Sequence, residues 1–203
     1  MSGIWGRKIG LSIFGESHGQ AIGITINGLP SGVRLDMQEI EFQMARRAPG
    51  GEFSTPRKEA DKVEIVSGIL DGRTTGAPLT GIIYNTNTRS GDYNQAVPRP
   101  SHSDWGYYVK THGNNDYRGG GHSSGRITAP LVFAGAICRQ ILSHKGIEVG
   151  SHILAVKDNY DKRFGNDIIP CMLDDLSHSA FPLLDERMKD IMQDAIRSAQ
   201  HNG

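Results

Sequence analysis

The chain has 203 residues and a mass of 22.1 kDa. Its 22 Lys+Arg balance 22 Asp+Glu to a formal charge of zero, which argues against a general nucleic-acid binder with its basic excess. Nothing approaches the uncharged apolar run of about 18 residues that a membrane helix needs, the N-terminal M-S-G-I-W-G-R-K has no leader pattern, and Cys138 and Cys171 are too few for a disulfide scaffold or a four-Cys zinc site. The expectation is a cytoplasmic chain with no nucleic-acid or membrane partner. Glycine stands out: 26 residues against an ordinary share of roughly 7%, and not periodic. Residues 1–147 hold 16 basic and 12 acidic side chains, whereas 148–203 hold 6 and 10.

Residues 8–14 and 21–27 alternate with β-branched side chains and predict two strands. Asn27-Gly28 marks a turn. Asp36 offers an N-cap, with Glu39 completing a capping box, for a helix over 37–47 that ends before Ala48-Pro49-Gly50-Gly51. Residues 63–70 and 79–84 predict two more strands. From 85 to 125 periodicity disappears, yet the stretch carries Trp105, Tyr93, Tyr107, Tyr108 and Tyr117, a composition that favours a functional segment over disorder. A helix apolar on most sides follows over 127–145, with Gly146 at its C′ position. Residues 147–156 predict a strand, 157–182 irregular chain and 184–200 a final amphipathic helix. No linker, repeat or low-complexity segment divides the chain, so one domain over 1–203 is expected. Its fold class is α+β.

Three motifs carry chemistry. Gly15-Glu16-Ser17-His18-Gly19 matches the G-x-S-x-G elbow of serine hydrolases, but an elbow leads into a helix, and a strand follows here. The other reading places Ser17 and His18 on a glycine-framed bend, where His18 can serve as a general acid. Arg99-Pro100-Ser101-His102-Ser103-Asp104 joins an anion-binding cation to a second proton-transferring histidine. Asp116-Tyr117-Arg118-Gly119-Gly120-Gly121-His122-Ser123-Ser124-Gly125-Arg126 leads into the apolar helix. Its glycines permit close approach of a ligand, its serines and helix amides suit an anion, and Arg118 and Arg126 flank it. It is not a Walker A loop, since no Gly-Lys-Ser/Thr follows. His18, His102, His112 and His122 lack metal-ligand spacing, so no metal is expected. His144, His152, His178 and His201 read as ordinary surface or end-of-element residues. Cys138 reads as a buried inert thiol. A non-catalytic anion- or nucleotide-binding module and a serine hydrolase using Ser17 remain the alternatives at this point.

Seven strings in one order resemble the N-terminal part of the chorismate synthase family: F-G-E-S-H-G (14–19), N-G-L-P-S-G (27–32), R-R-A-P-G (46–50), S-G-I-L-D-G-R-T-T-G (67–76), N-T-N-T-R-S-G-D-Y (85–93), R-P-S-H-S-D (99–104) and D-Y-R-G-G-G-H-S-S-G-R-I-T (116–128). The resemblance implies a β-α-β sandwich of antiparallel sheets and helices. It also implies anti elimination of phosphate from 5-enolpyruvylshikimate-3-phosphate to give chorismate, in the shikimate route to aromatic amino acids. The cofactor implied is reduced FMN, with NADPH only as the source of flavin reduction. The family works as a cytoplasmic or plastid homotetramer on a small anionic substrate. By resemblance His18 protonates the departing phosphate and His102 the flavin near N1. Ser17, Arg47, Arg89, Arg118 and Arg126 fall at substrate positions, and Arg47, His122, Ser123 and Ser124 at flavin positions. Two departures stand out: Gly51-Glu52-Phe53 follows R-R-A-P-G where many members have a further arginine, and His122 replaces an arginine. The family continues past residue 203 with more flavin contacts and a catalytic aspartate, so the 203 residues alone are expected to be inactive.

Overall fold

The structure is a computed structural model and describes residues 3–54, 60–88, 91 and 93–202. The chain divides into two compact units, Met1–Gln140 and Ile141–Gly203.

The first unit is built on one antiparallel sheet of β1 (Ile4–Gly6), β2 (Gly10–Gly15), β3 (Ala21–Asn27), β7 (Leu79–Tyr84) and β4 (Val63–Ser67), in the spatial order β1-β2-β3-β7-β4. Alternation in the sequence decides which face is buried. Ile22, Ile24 and Ile26 on β3 are fully buried and pair in register with Ile83, Gly81 and Leu79 on β7. Phe133 packs where Gly81 has no side chain: a Cβ there would stand 2.6 Å from its ring. That contact seats helix α3 (Thr128–Ser143) on the sheet through Ala129, Phe133, Ala134 and Ile137. Burying a Phe or Ile side chain fully contributes about 1.5–3 kcal/mol each, so this face dominates the stability of the unit.

Helix α1 (Met37–Arg47) has the anticipated bounds. The Asp36 carboxylate caps it by accepting from the Gln38 and Glu39 amides at 2.9 and 3.2 Å. The capping box itself does not close. The Asp36 amide donates instead to Gln140 Oε1 at 2.7 Å, and Glu39 pairs with Arg139 at 3.4 Å. Tertiary bonds to α3 thus replace the local one.

The strand expected over 63–70 breaks at Gly68, whose φ of +89° and close approach to Leu79 turn the chain. Ile69–Leu70 (β5) then pairs with Arg73–Thr74 (β6) in a separate hairpin. This hairpin clamps the 28–35 loop. Thr74 Oγ1 donates to Pro30 O at 2.6 Å and accepts from the Val33 amide at 3.0 Å, and backbone bonds join Gly32 to Thr74 and Leu35 to Gly72. Among its described residues the patternless stretch contains one α-helix, α2 (Asp104–Thr111), closed by His112 in the left-handed region with φ +54°.

The second unit holds the two-residue strands β8 (Ala155–Val156) and β9 (Asn159–Tyr160) and the helices α4 (Pro170–His178) and α5 (Met188–Asn202). Most of the strand expected over 147–156 is absent because its backbone bonds go elsewhere: Ile153 donates to Pro182 O, and Gly150 lies against Leu173 of α4. Leu176, Leu183 and Met192 form its small core. His152, expected at the surface, has a buried side chain. Its Nδ1 donates to Asp161 at 2.9 Å, and its ring meets Phe164 edge-on. Among the described residues no helix is long and apolar enough to cross a membrane.

Candidate active site

Every described site residue expected from sequence lies in the first unit. Arg89 lies outside the described residues.

Ser17 and His18 sit in the connection between the antiparallel strands β2 and β3, after Gly15 with its φ of +92°. A hairpin loop is no strand-to-helix elbow, so the hydrolase geometry is absent. Ser17 is 1% exposed, and its Oγ shares a hydrogen bond with His18 Nδ1 at 3.1 Å. The Ser17 amide donates to Gly121 O at 3.2 Å. The glycine loop presses on this pair. Gly119 has φ +62°, and a Cβ on it would lie 2.5 Å from His18 Nδ1 and Cε1 and 2.7 Å from Ser17 Oγ. Close approach, the expected use of these glycines, is therefore directed at the protein's own Ser17–His18 pair.

Arg99 holds the loop in place. It donates to Gly119 O at 2.5 Å and grips Asp104 through Nε and Nη2 at 2.8 and 2.9 Å. Those charge-assisted bonds push the Asp104 carboxyl down to about 2. The Arg99 guanidinium also lies 5.0 Å from the Tyr93 ring centre, and Tyr93 meets His18 edge-on at 5.0 Å. His102 is exposed just before α2, following Ser101 with its φ of +62°. Its amide donates to Arg99 O at 3.3 Å. A cavity of about 410 Å³ is lined by Val97, Pro98, Trp105, Tyr108 and Tyr117.

A second cluster forms around Asp61, which sequence reasoning missed. Asp61 is 3% exposed with φ +48°. One oxygen accepts from Arg47 Nη1 at 2.6 Å and the other from Arg126 Nη1. Arg47 also donates to Gly125 O at 3.2 Å, and Arg126 Nε to Asn85 Oδ1 at 3.0 Å. Asp61 thus gathers two guanidiniums around one carboxylate. Arg118, by contrast, is neutralised by Asp116 through bonds of 2.7 and 2.8 Å, which hold the Asp116 carboxyl below its ordinary range. A signal for Asp61 existed: an arginine placed at the start of an apolar helix needs an acidic partner if it is buried.

His122 Nδ1 lies 2.8 Å from Gly15 O. A carbonyl only accepts, so Nδ1 carries the hydrogen. Ser123 Oγ shares a hydrogen bond of 2.6 Å with Tyr107 OH, and Ser124 Oγ caps the following turn by accepting from the Arg126 amide at 3.3 Å.

The family model described as chorismate synthase matches residues 9–203. This chain belongs to the chorismate synthase family. The chorismate synthase of Methanobrevibacter smithii is 45% identical over 161 residues, covering 78% of this chain and 44% of that protein. The chorismate synthase of Aeropyrum pernix is 38% identical over 209 residues, covering 98% and 53%. The chain thus spans about half the length of these relatives. A crystal structure of chorismate synthase covers 97% of this chain and 54% of its own, with a TM-score of 0.68 and 23% identity. That likeness shows the fold, in agreement with the expected α+β class of antiparallel sheets and helices.

Proposed function

We infer that the full protein is a phosphate lyase that forms chorismate from 5-enolpyruvylshikimate-3-phosphate in aromatic amino acid biosynthesis. The carbon–oxygen bond to phosphate breaks and its electron pair leaves with the phosphate. A ring proton departs from the opposite face and a diene results. The observation that carries this reading is the Ser17–His18 pair, clamped by Gly119 and accompanied by Arg47 and Arg126, which meet on Asp61. A leaving phosphate needs a proton and a positive field.

In this reading His18 delivers its proton to the phosphate oxygen. Ser17 orients the imidazole through Nδ1. Arg47 and Arg126 hold the anionic substrate, with Arg89 and Arg118 adding contacts. The family's cofactor is reduced FMN, and the donor set fits a phosphate-bearing group: the exposed Ser123 hydroxyl, Ser124, the Arg47 guanidinium and the His122 imidazole. When bound, reduced flavin would supply transferable electron density with no net redox change, NADPH being only the source of its reduction. His102, exposed just before α2, is assigned the proton transfer to the cofactor. The family resemblance further supports a cytoplasmic homotetramer. These 203 residues alone are proposed to give no turnover.

The test is a chorismate assay on the full-length protein with and without reduced FMN. Product is expected only with reduced flavin. His18→Ala and His102→Ala should each lower kcat by about two to four orders of magnitude, the range for a lost general acid. Near-full activity in both variants would refute the acid roles.

A further inference from the structure

We propose that Asn85 is the positioning residue of His18, an assignment that rests on the lyase reading above only for its kinetic consequence. Asn85 follows the last residue of β7, and its amide donates to Gln20 O at 3.1 Å, extending the β3–β7 ladder by one bond. Its backbone is therefore anchored to the sheet. Its side-chain amide then reaches across the Glu16–Gly19 loop. Nδ2 donates to Glu16 O at 3.0 Å and to Gly19 O at 2.8 Å. These two carbonyls flank Ser17 and His18. One amide nitrogen thus ties both ends of the loop that carries the proposed acid. The Gly19 amide adds a bond of 3.1 Å to Glu16 O, closing the turn from within.

The orientation of the amide is fixed as well. Oδ1 accepts from Arg126 Nε at 3.0 Å, and Arg126 is held in turn by the buried Asp61. A flipped amide would set NH2 against a guanidinium and an oxygen against two carbonyls, so only one orientation satisfies all partners. Asp61, Arg126 and Asn85 form a chain that ends on the His18 loop. Tyr93 meets His18 edge-on at 5.0 Å, so a small loop displacement changes the ring current felt by the imidazole. Loss of the brace should displace the acid without removing it, and a misplacement of about 1 Å can cost roughly 100-fold in rate.

The experiment uses the full-length protein with labelled histidine. Asn85→Asp keeps the size and the acceptor for Arg126 but turns both donors into a carboxylate facing two carbonyls. Asn85→Ser keeps one donor and serves if the Asp variant does not fold. Each folded variant is expected to shift the His18 imidazole resonances away from their Tyr93-influenced position. Each should lower kcat by about 10- to 100-fold with KM within about twofold, Ser less than Asp. A merely structural role would lower the melting temperature yet leave the His18 resonances and kcat of the folded protein unchanged, and that result would overturn the assignment. If the unsubstituted protein forms no chorismate, the lyase reading fails, and the resonance shift alone still decides the role of Asn85.

Discussion

At the scale of single residues, Gly119 packs directly against the proposed acid. Its φ of +62° costs a non-glycine residue roughly 1–2 kcal/mol, and a methyl there meets His18 at 2.5 Å. Gly119→Ala in the full-length protein is therefore expected to lower kcat by about 100-fold while costing about 1–2 kcal/mol in denaturant stability. Loss of stability with kcat unchanged would show that the imidazole does not need this contact. Asp104 supports the same loop through Arg99. Its folded pKa, about 2, lies below the unfolded value, so its contribution is complete above the ordinary carboxylate range near 3.9 and fades as pH falls toward 2. The pair is partly exposed, so Asp104→Asn should cost about 1 kcal/mol at pH 6, and the gap between variant and parent should narrow below the ordinary carboxylate range and close as pH falls to about 2. Urea midpoints at the two pH values measure it. His18, His102 and the flanking arginines stand out in the sequence as candidates because glycine, histidine and arginine cluster there. Asp61 and Asn85 do not, because their roles come from long-range pairing: Asp61 meets Arg126 65 positions away, and Asn85 meets Glu16 69 positions away.

At the scale of elements, α1, β3 and β7 have the bounds their patterns dictate, since each buries one face of a regular period. Helices α2 and α4 escape pattern reading for a different reason. They are short, α2 buries no residue and α4 buries only Leu176 and Ser177, so their sequences carry little periodic signal. The S-G-I-L-D-G-R-T-T-G string, one of the seven that carry the family resemblance, performs structural work. Through Thr74 it fastens the 28–35 loop beside the sheet. Thr74→Val keeps shape and burial but strands the Pro30 carbonyl and the Val33 amide, at an expected cost of about 2–3 kcal/mol. Thr74→Ser retains the hydroxyl and should cost under about 1 kcal/mol. Equal denaturation midpoints for the two variants would show that the hydroxyl bonds are not what holds the clamp.

At the scale of the whole molecule, charge divides along the chain. The described candidate site residues run from Ser17 to Arg126 in the basic first part, while the acidic remainder forms a second unit with its own core. That unit is small, and a small core leans on polar staples. Asp161 is the staple. Burial pushes its carboxyl up, but the Leu184, Lys162 and Asp185 amides and the His152 imidazole outweigh that, and the net shift is downward. The bonds from Leu184 and Asp185 are 2.7 and 2.9 Å. They fix the approach to α5 against the chain just after β9. A depressed folded pKa means that this contribution is present above the unfolded carboxylate range and is lost as pH falls through the folded value. Asp161→Asn removes the charge but not the volume, and bonds to a charged acceptor contribute about 1.5–3 kcal/mol. The variant is expected to lose hydrogen-exchange protection at the Leu184 and Asp185 amides and through α5 at pH 6, by a factor corresponding to that range. Unchanged protection at those two amides would mean that the apolar contacts of Leu176, Leu183 and Met192 hold the unit together without the staple.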